Sequence, residues 1–163
     1  MRDWGLGTNR GGVDGLAEQL GTDLKRKAVA KPVTLIGWSL GGVVAREVAR
    51  LYPQQVAEVI TFGSPIIGGP KYTSMGQRFA NRQNLNLDAF EKEGHRRNSI
   101  GITQPLTVMY SKSDGIVGWQ AAVDVYNEQA RNIEVNGSHL GLGTNPGVWL
   151  EIAETLGRSG TAK

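Results

Sequence analysis

The stretch Leu35-Ile36-Gly37-Trp38-Ser39-Leu40-Gly41-Gly42 decides how this chain folds, because it sets the pentad G-x-S-x-G between two apolar segments. Composition alone makes such pentads common. Glycine supplies 23 of the 163 residues, about double ordinary usage. The flanks give the pentad its meaning. Pro32 stops what precedes it, and Val33-Thr34-Leu35-Ile36 is a short, partly β-branched apolar run bounded by Gly37. That pattern predicts a strand buried on both faces, as in a parallel sheet. Ser39 to Leu51 carries apolar Leu40, Val43, Val44, Ala45, Val48, Ala49 and Leu51 and predicts a well-buried helix, stopped by Tyr52-Pro53. A serine at the apex of a strand-to-helix turn sits in a strained backbone conformation. Side chains at the flanking positions would meet the neighbouring strand or helix, so glycine is expected to be needed at Gly37 and Gly41. The turn raises the Ser39 hydroxyl above the carboxyl end of the sheet. There the Leu40 amide, at the start of the helix, can donate to an oxyanion.

The remaining segments alternate in the same way. Val56–Phe62 reads as a second strand, closed by Gly63-Ser64-Pro65; Pro105 opens a third, Leu106–Tyr110; Ile133–Val135 is a fourth, ending at Asn136-Gly137. A last helix, Pro146–Leu156, starts with proline and is amphipathic through Val148, Leu150, Ile152, Ala153 and Leu156. The expected architecture is α/β, three-layered around a mostly parallel sheet, with residues 1–163 forming one domain. Residues 66–104 interrupt it. This segment is polar, and its six basic residues (Lys71, Arg78, Arg82, Lys92, Arg96, Arg97) against three acidic ones (Asp88, Glu91, Glu93) give +3, the net charge of the whole chain. An insertion of this kind between sheet elements is expected to act as a cap or lid over a site.

Several function classes drop out. With no cysteine, disulfides, thiol-ligated metals and cysteine catalysis are excluded. Two histidines in separate contexts hold no metal, so neither metal nor cofactor is expected. The basic clusters Lys25-Arg26-Lys27 and Arg96-Arg97 are short and not interleaved with aromatics, which argues against nucleic acid. No apolar run is long enough for a membrane span, and Met1–Gly7 lacks the apolar stretch of a signal peptide. The expectation is a cytoplasmic protein. Gly5-Leu6-Gly7 lacks the third glycine of a dinucleotide fingerprint, and no glycine loop continues into G-K-[ST].

A serine hydroxyl needs a base. His95 lies in the charged stretch Glu91–Arg97, with no rigid element expected to hold it. His139 follows the fourth strand in Asn136-Gly137-Ser138-His139-Leu140-Gly141, a loop expected at the same sheet edge as Ser39. The acid should also follow a strand. Asp114 does so, in Tyr110-Ser111-Lys112-Ser113-Asp114-Gly115-Ile116-Val117, where its carboxylate could fix the imidazole tautomer. Its rival, Asp124, lies ten residues on in a predicted helix. The order Ser39, Asp114, His139 is that of an α/β-hydrolase.

Taken together, Trp4-Gly5-Leu6-Gly7-Thr8-Asn9-Arg10-Gly11, the elbow Gly37–Gly42, Thr61-Phe62-Gly63-Ser64-Pro65, Tyr110–Val117 and Gly137-Ser138-His139-Leu140-Gly141-Leu142-Gly143 resemble the carboxyl-terminal part of a bacterial α/β-hydrolase of the esterase/lipase type. The resemblance implies Ser39 as nucleophile, Asp114 as acid, His139 as base and residues 66–104 as cap. Family members normally carry further strands and a helix before the segment matching Trp4, and a loop there supplies the second oxyanion amide. The chain therefore reads as an amino-terminally shortened relative, in which Gly5, Leu6 and Gly7, with Thr8 and Asn9, are expected to donate that amide beside Leu40. The implied activity is cleavage of short- to medium-chain carboxylic esters, with Trp38, Ile66 and Ile67 at the acyl site. The expected partner is a small-molecule ester, and an exposed sheet edge would allow a homodimer. Two other readings use the same features: an acyltransferase or thioesterase with the same three residues, and a shortened, catalytically weak or inactive binding or assembly protein.

Overall fold

The computed structural model describes residues 12–26, 31–83 and 86–161. Helix α1 (Val13–Arg26) precedes strand β1 (Val33–Trp38), which leads through Ser39 into α2 (Leu40–Leu51). Strand β2 (Val56–Phe62) is followed by a 3-10 turn at Gly69–Tyr72, then α3 (Gly76–Gln83) and α4 (Leu87–Asn98). After β3 (Leu106–Tyr110) come the short α5 (Trp119–Ala122), β4 (Arg131–Glu134), the short α6 (His139–Leu142) and α7 (Pro146–Thr161).

The strands lie in the order β1-β2-β3-β4 and every pairing is parallel. Parallel order has one consequence that matters for the site. The carboxyl ends of all four strands open onto the same edge, so the residues that follow them are gathered there. Alternation along the strands divides the core in two. Val59 and Val108 join Leu16, Ala17, Val44, Ala45 and Val48 of α1 and α2 on one face. Ile60, Phe62 and Met109 join Leu142, Val148 and Ile152 of α6 and α7 on the other. The three layers expected from sequence are present, with a sheet between two helical layers.

Several local expectations are corrected. β1 is half-buried over Val33–Ile36 instead of buried on both faces, because among the described residues it is paired on one side only, to β2. The fourth strand begins earlier, at Arg131, and the last helix runs further, to Thr161. His95 lies on a rigid element after all, near the end of α4. Asp124 lies in no helix; it is in the irregular segment after α5. Helix α1 has no counterpart in the sequence reading.

The glycine requirement at the elbow is also shifted. A Cβ at Gly37 would lie 2.5 Å from the Gly41 carbonyl oxygen and from Gly42 Cα and N, and one at Gly42 would lie 2.0 Å from Ser64 Oγ. A Cβ at Gly41 meets nothing within 4 Å. The close approach of strand to helix therefore depends on Gly37 and Gly42, while Gly41 faces outward. Gly42→Ala is expected to cost about 1–3 kcal/mol through overpacking. Gly41→Ala should be neutral or stabilising by up to ~1 kcal/mol through helix propensity. Urea unfolding of the two variants checks this, and equal losses would remove the assignment.

Candidate active site

Ser39 is the one non-glycine residue with positive φ among the described residues, at φ 52° and ψ −126°. Its amide donates to the Phe62 carbonyl at 3.0 Å, and its own carbonyl accepts from Gly42 N at 3.1 Å. Both bonds fix the apex between β2 and the first turn of α2. Leu40 opens α2, where first-turn amides have no intrahelical acceptor and remain available to an anion.

Three of the expected residues meet at the sheet edge. Ser39 Oγ lies 3.0 Å from His139 Nε2, and His139 Nδ1 lies 2.8 Å from Asp114 Oδ2 and 3.0 Å from Oδ1. His139 and Asp114 are both buried. Asp114 Oδ1 also accepts from the amides of Ile116 (2.9 Å) and Val117 (2.6 Å), as an ionised carboxylate would. An acceptor on the Nδ1 side places the imidazole proton there and leaves Nε2 to accept from the serine hydroxyl. The other histidine is elsewhere: His95 Nδ1 is 3.0 Å from the Tyr126 hydroxyl, on the surface.

A second serine joins the acid and base loops. Ser111 Oγ donates to the Gly137 carbonyl at 2.7 Å and accepts from Ser113 N at 3.1 Å, while the Ser111 carbonyl accepts from Asp114 N at 3.3 Å. The His139 amide in turn donates to the Asp114 carbonyl at 2.8 Å. The turns after β3 and β4 are thus tied together on both sides of the Asp114–His139 pair. Sequence alone gave no weight to Ser111.

From Ser39 a cavity of about 630 Å³ extends along α2 and under the segment between β2 and β3. Ile66 lines it, as expected. Ile67 does not line it and instead packs on Val117, Ala121 and Ala122. Trp38 is also outside the wall; its ring lies against His139 at 5.5 Å between centroids. The apolar lining near Ser39 comes from Val43, Pro65, Ile66, Met75, Phe90 and Val117. Gly5, Leu6 and Gly7 lie outside the described residues, while Gly12 and Val13, which follow them, border the cavity.

The far end is charged. Arg46 Nη1 is 2.6 Å from Asp124 Oδ2, both side chains being almost fully buried. Burial pushes the Arg46 guanidinium below its ordinary value, with Asp124 opposing the shift. For Asp124, burial acts upward but is outweighed by Arg46 and by hydrogen bonds from Asn127 and Tyr126, so its carboxyl is lowered. Arg50 pairs with Glu47 and donates to Asn98 Oδ1 at 3.2 Å. Asp124, weighed from sequence as a catalytic acid, is here the partner of Arg46. Arg46 and Arg50 were missed by sequence reasoning. The signal was their spacing: positions 39, 43, 46 and 50 fall on one face of a helix.

The chain matches the family model described as the PGAP1-like alpha/beta domain over residues 21–155. No curated protein matches it. Solved structures similar to it include a lipase-esterase related protein from Clostridium acetobutylicum ATCC 824 (17% identity, 92% of this chain and 79% of that one, TM-score 0.67). An alpha/beta superfamily hydrolase from Oenococcus oeni PSU-1 is similar at 15% identity, over 94% of this chain and 77% of that one, with TM-score 0.68. The N-acyl homoserine lactonase AidH, complexed with N-butanoyl homoserine, is similar at 14% identity, over 93% and 72%, with TM-score 0.64. The fold is that of the α/β-hydrolases.

Replacing Ser111 by alanine should remove this bond to the half-buried Gly137 carbonyl and cost about 0.5–1.5 kcal/mol. Urea unfolding measures it, and a loss below about 0.5 kcal/mol, the range of an ordinary surface change, would show that the two loops do not depend on this tie.

Proposed function

The chain belongs to the PGAP1-like alpha/beta domain family, and from that premise we propose that it is a serine hydrolase cleaving carboxylic esters through an acyl-Ser39 intermediate. The observation that carries this reading is the continuous relay from Ser39 Oγ to His139 Nε2 (3.0 Å) and from His139 Nδ1 to Asp114 Oδ2 (2.8 Å).

In the first half-reaction the Ser39 oxygen bonds to the ester carbonyl carbon while His139 Nε2 takes the hydroxyl proton. The carbonyl π electrons move onto oxygen, and the Leu40 amide donates to that oxyanion. Collapse expels the alkoxide, which receives the proton from His139, and leaves the acyl group on Ser39. In the second half a water gives its proton to His139 and attacks the acyl carbon, and the acid leaves as Ser39 recovers its proton. Asp114 holds the imidazole in the tautomer this sequence needs and stabilises the imidazolium. The apolar wall formed by Val43, Ile66, Phe90 and Val117 suits the acyl chain. A cavity of this size accommodates a short- to medium-chain group. The segment between β2 and β3 contributes much of that wall and acts as the cap. Lactones, as internal esters, require the same steps, and one structural neighbour is a lactonase.

A fluorophosphonate probe tests the reading directly. The parent should take up label, and Ser39→Ala should not. His139→Ala should lower ester turnover by roughly 10⁴- to 10⁶-fold, the range seen when a serine-protease triad loses a member. A folded parent that stays unlabelled, with no turnover across a panel of esters and lactones, would leave the non-catalytic binding protein as the correct reading.

A further inference from the structure

Six ionisable side chains line the cavity that begins at Ser39: Asp14, Arg46, Glu47, Arg50, Arg78 and Arg97. Five of them are matched. Arg46 pairs with Asp124, Arg50 with Glu47, and Arg97 with Asp14 and Glu93. The acidic residues of the cap are likewise in use: Asp88 and Glu91 hold Lys71, and Glu93 also holds Arg96. Beside Arg78 on α3, Gln77 and Asn81 bond to each other at 3.0 Å. Arg78 itself has no ion pair or hydrogen-bond partner among the described residues, and it is exposed. The cavity wall therefore carries one uncompensated positive charge, on a side chain that a ligand can reach.

The position of that charge relates it to the reacting edge. Thr73 pairs with Val117 in an antiparallel bridge, and the Ser74 amide donates to the Ile116 carbonyl at 2.8 Å. Ile116 and Val117 are the residues whose amides hold Asp114, so the entry to α3 is fastened beside the acid loop. Arg78 follows Ser74 by four residues, at most ~14 Å of chain. Met75, which is also exposed, shares this rim, and the cavity joins it to Ser39 past Val43, Ile66 and Phe90. The side chains of Arg46 and Arg50 are only 3% and 9% exposed, enclosed in their own pairs, which leaves the rim arginine as the available cation. The cap's net charge of +3 adds a field that draws anions to the same face. Resting on the esterase reading, we propose that the preferred esters carry an anionic group, a carboxylate or phosphate, at the distal end of the acyl chain, and that Arg78 binds it. Arg78 is then a specificity residue, remote from the reacting carbonyl.

The test uses nitrophenyl monoesters of the dicarboxylic acids from succinate to suberate, with acyl esters of the same lengths ending in phosphate. Each is compared with a methyl-terminated and a trimethylammonium-terminated ester of matched length. Dissociation constants are measured on Ser39→Ala, and kcat/KM on the parent, at low and high salt. A cavity without an available cation favours the methyl-terminated chain, because an anion would lose hydration for nothing. The expected result is the reverse: at least one anionic ester binds Ser39→Ala threefold or more tighter than its methyl-terminated counterpart, with kcat/KM in the same order. The ratio is modest because the pair forms at an exposed rim, and it should fall as salt rises. A ratio met by either anion supports the proposal, and the larger one identifies the group. In the Ser39→Ala background, Arg78→Gln should remove the ratio, Arg78→Lys retain most of it, and Arg78→Glu turn the preference toward trimethylammonium. Circular dichroism checks that each variant folds; should one fail, the other two and the salt dependence decide. Methyl-terminated esters that bind as well as every anionic one overturn the proposal, and so does an anion preference that survives in Arg78→Gln. Because binding is read on a protein that cannot form the acyl-enzyme, a parent that hydrolyses nothing would count against the esterase reading and leave the anion site to be decided by binding.

Discussion

The structure depends on the backbone of Ser39 being held at φ 52°. A non-glycine residue in that region costs on the order of 1–3 kcal/mol and persists only where its surroundings over-determine it. Here the surroundings are the Phe62 carbonyl, the Gly42 amide, and the two glycines at positions 37 and 42 that let strand and helix meet without an intervening Cβ. Release of that strain would turn the serine hydroxyl away from His139 Nε2. It would also tilt α2, and with α2 go the Leu40 amide and the whole arginine-bearing wall of the cavity. The elbow therefore sets two things at once: the position of one oxygen and the direction of one helix.

The parallel sheet does the rest by geometry. Its strand ends deliver Ser39, Asp114 and His139 to one edge from places in the chain that lie 75 and 25 residues apart by their numbering. Strand ends alone do not aim side chains. Asp114 is aimed by the Ile116 and Val117 amides, and its loop is tied to that of His139 by Ser111 Oγ and by the His139 amide. The cap segment braces this loop in turn: the Ser74 amide donates to the Ile116 carbonyl at 2.8 Å and the Gly118 amide to the Tyr72 carbonyl at 3.0 Å, so the stretch that aims Asp114 is also joined to the segment leading into α3.

These placements explain what could be read from the sequence. The strands β1, β2 and β3 and the order of Ser39, Asp114 and His139 were legible because each is written locally, as an apolar run ended by a turn. Helix α1 was not. Gly21 lies in its middle, where propensity argues against a helix. Yet a Cβ there would sit 2.1 Å from the Tyr52 ring, so the glycine serves helix packing. Helix α4 was hidden for the opposite reason: it has almost no apolar stripe. It is held by the Asn86 cap, which accepts from the Asp88 and Ala89 amides at 3.0 Å, and by ion pairs from Lys71 to Asp88 and Glu91 and from Glu93 to Arg96 and Arg97. Such charge pairing is invisible to a periodicity argument. The shift of the glycine requirement from Gly41 to Gly42 was likewise beyond the motif, because it is set by Ser64 on the neighbouring strand end.

The buried Arg46–Asp124 pair is the feature whose presence stability explains least. Burying an ion pair gives little or no net stability, and an apolar pair of the same volume commonly does as well. The pair joins α2 to the irregular segment after α5, where Asp124 also accepts from the Tyr126 and Asn127 amides at 2.8 and 2.9 Å. That would satisfy a structural need for Asp124 alone. It does not account for Arg46, whose Nη2 is buried without an acceptor among the described residues. A leucine at position 46 would have extended the apolar wall, and a neutral partner would have sufficed for Asp124. A guanidinium on α2 holds the Asp124 carboxylate through Nη1, so the pair fixes the helix that begins at Ser39 against the segment after α5.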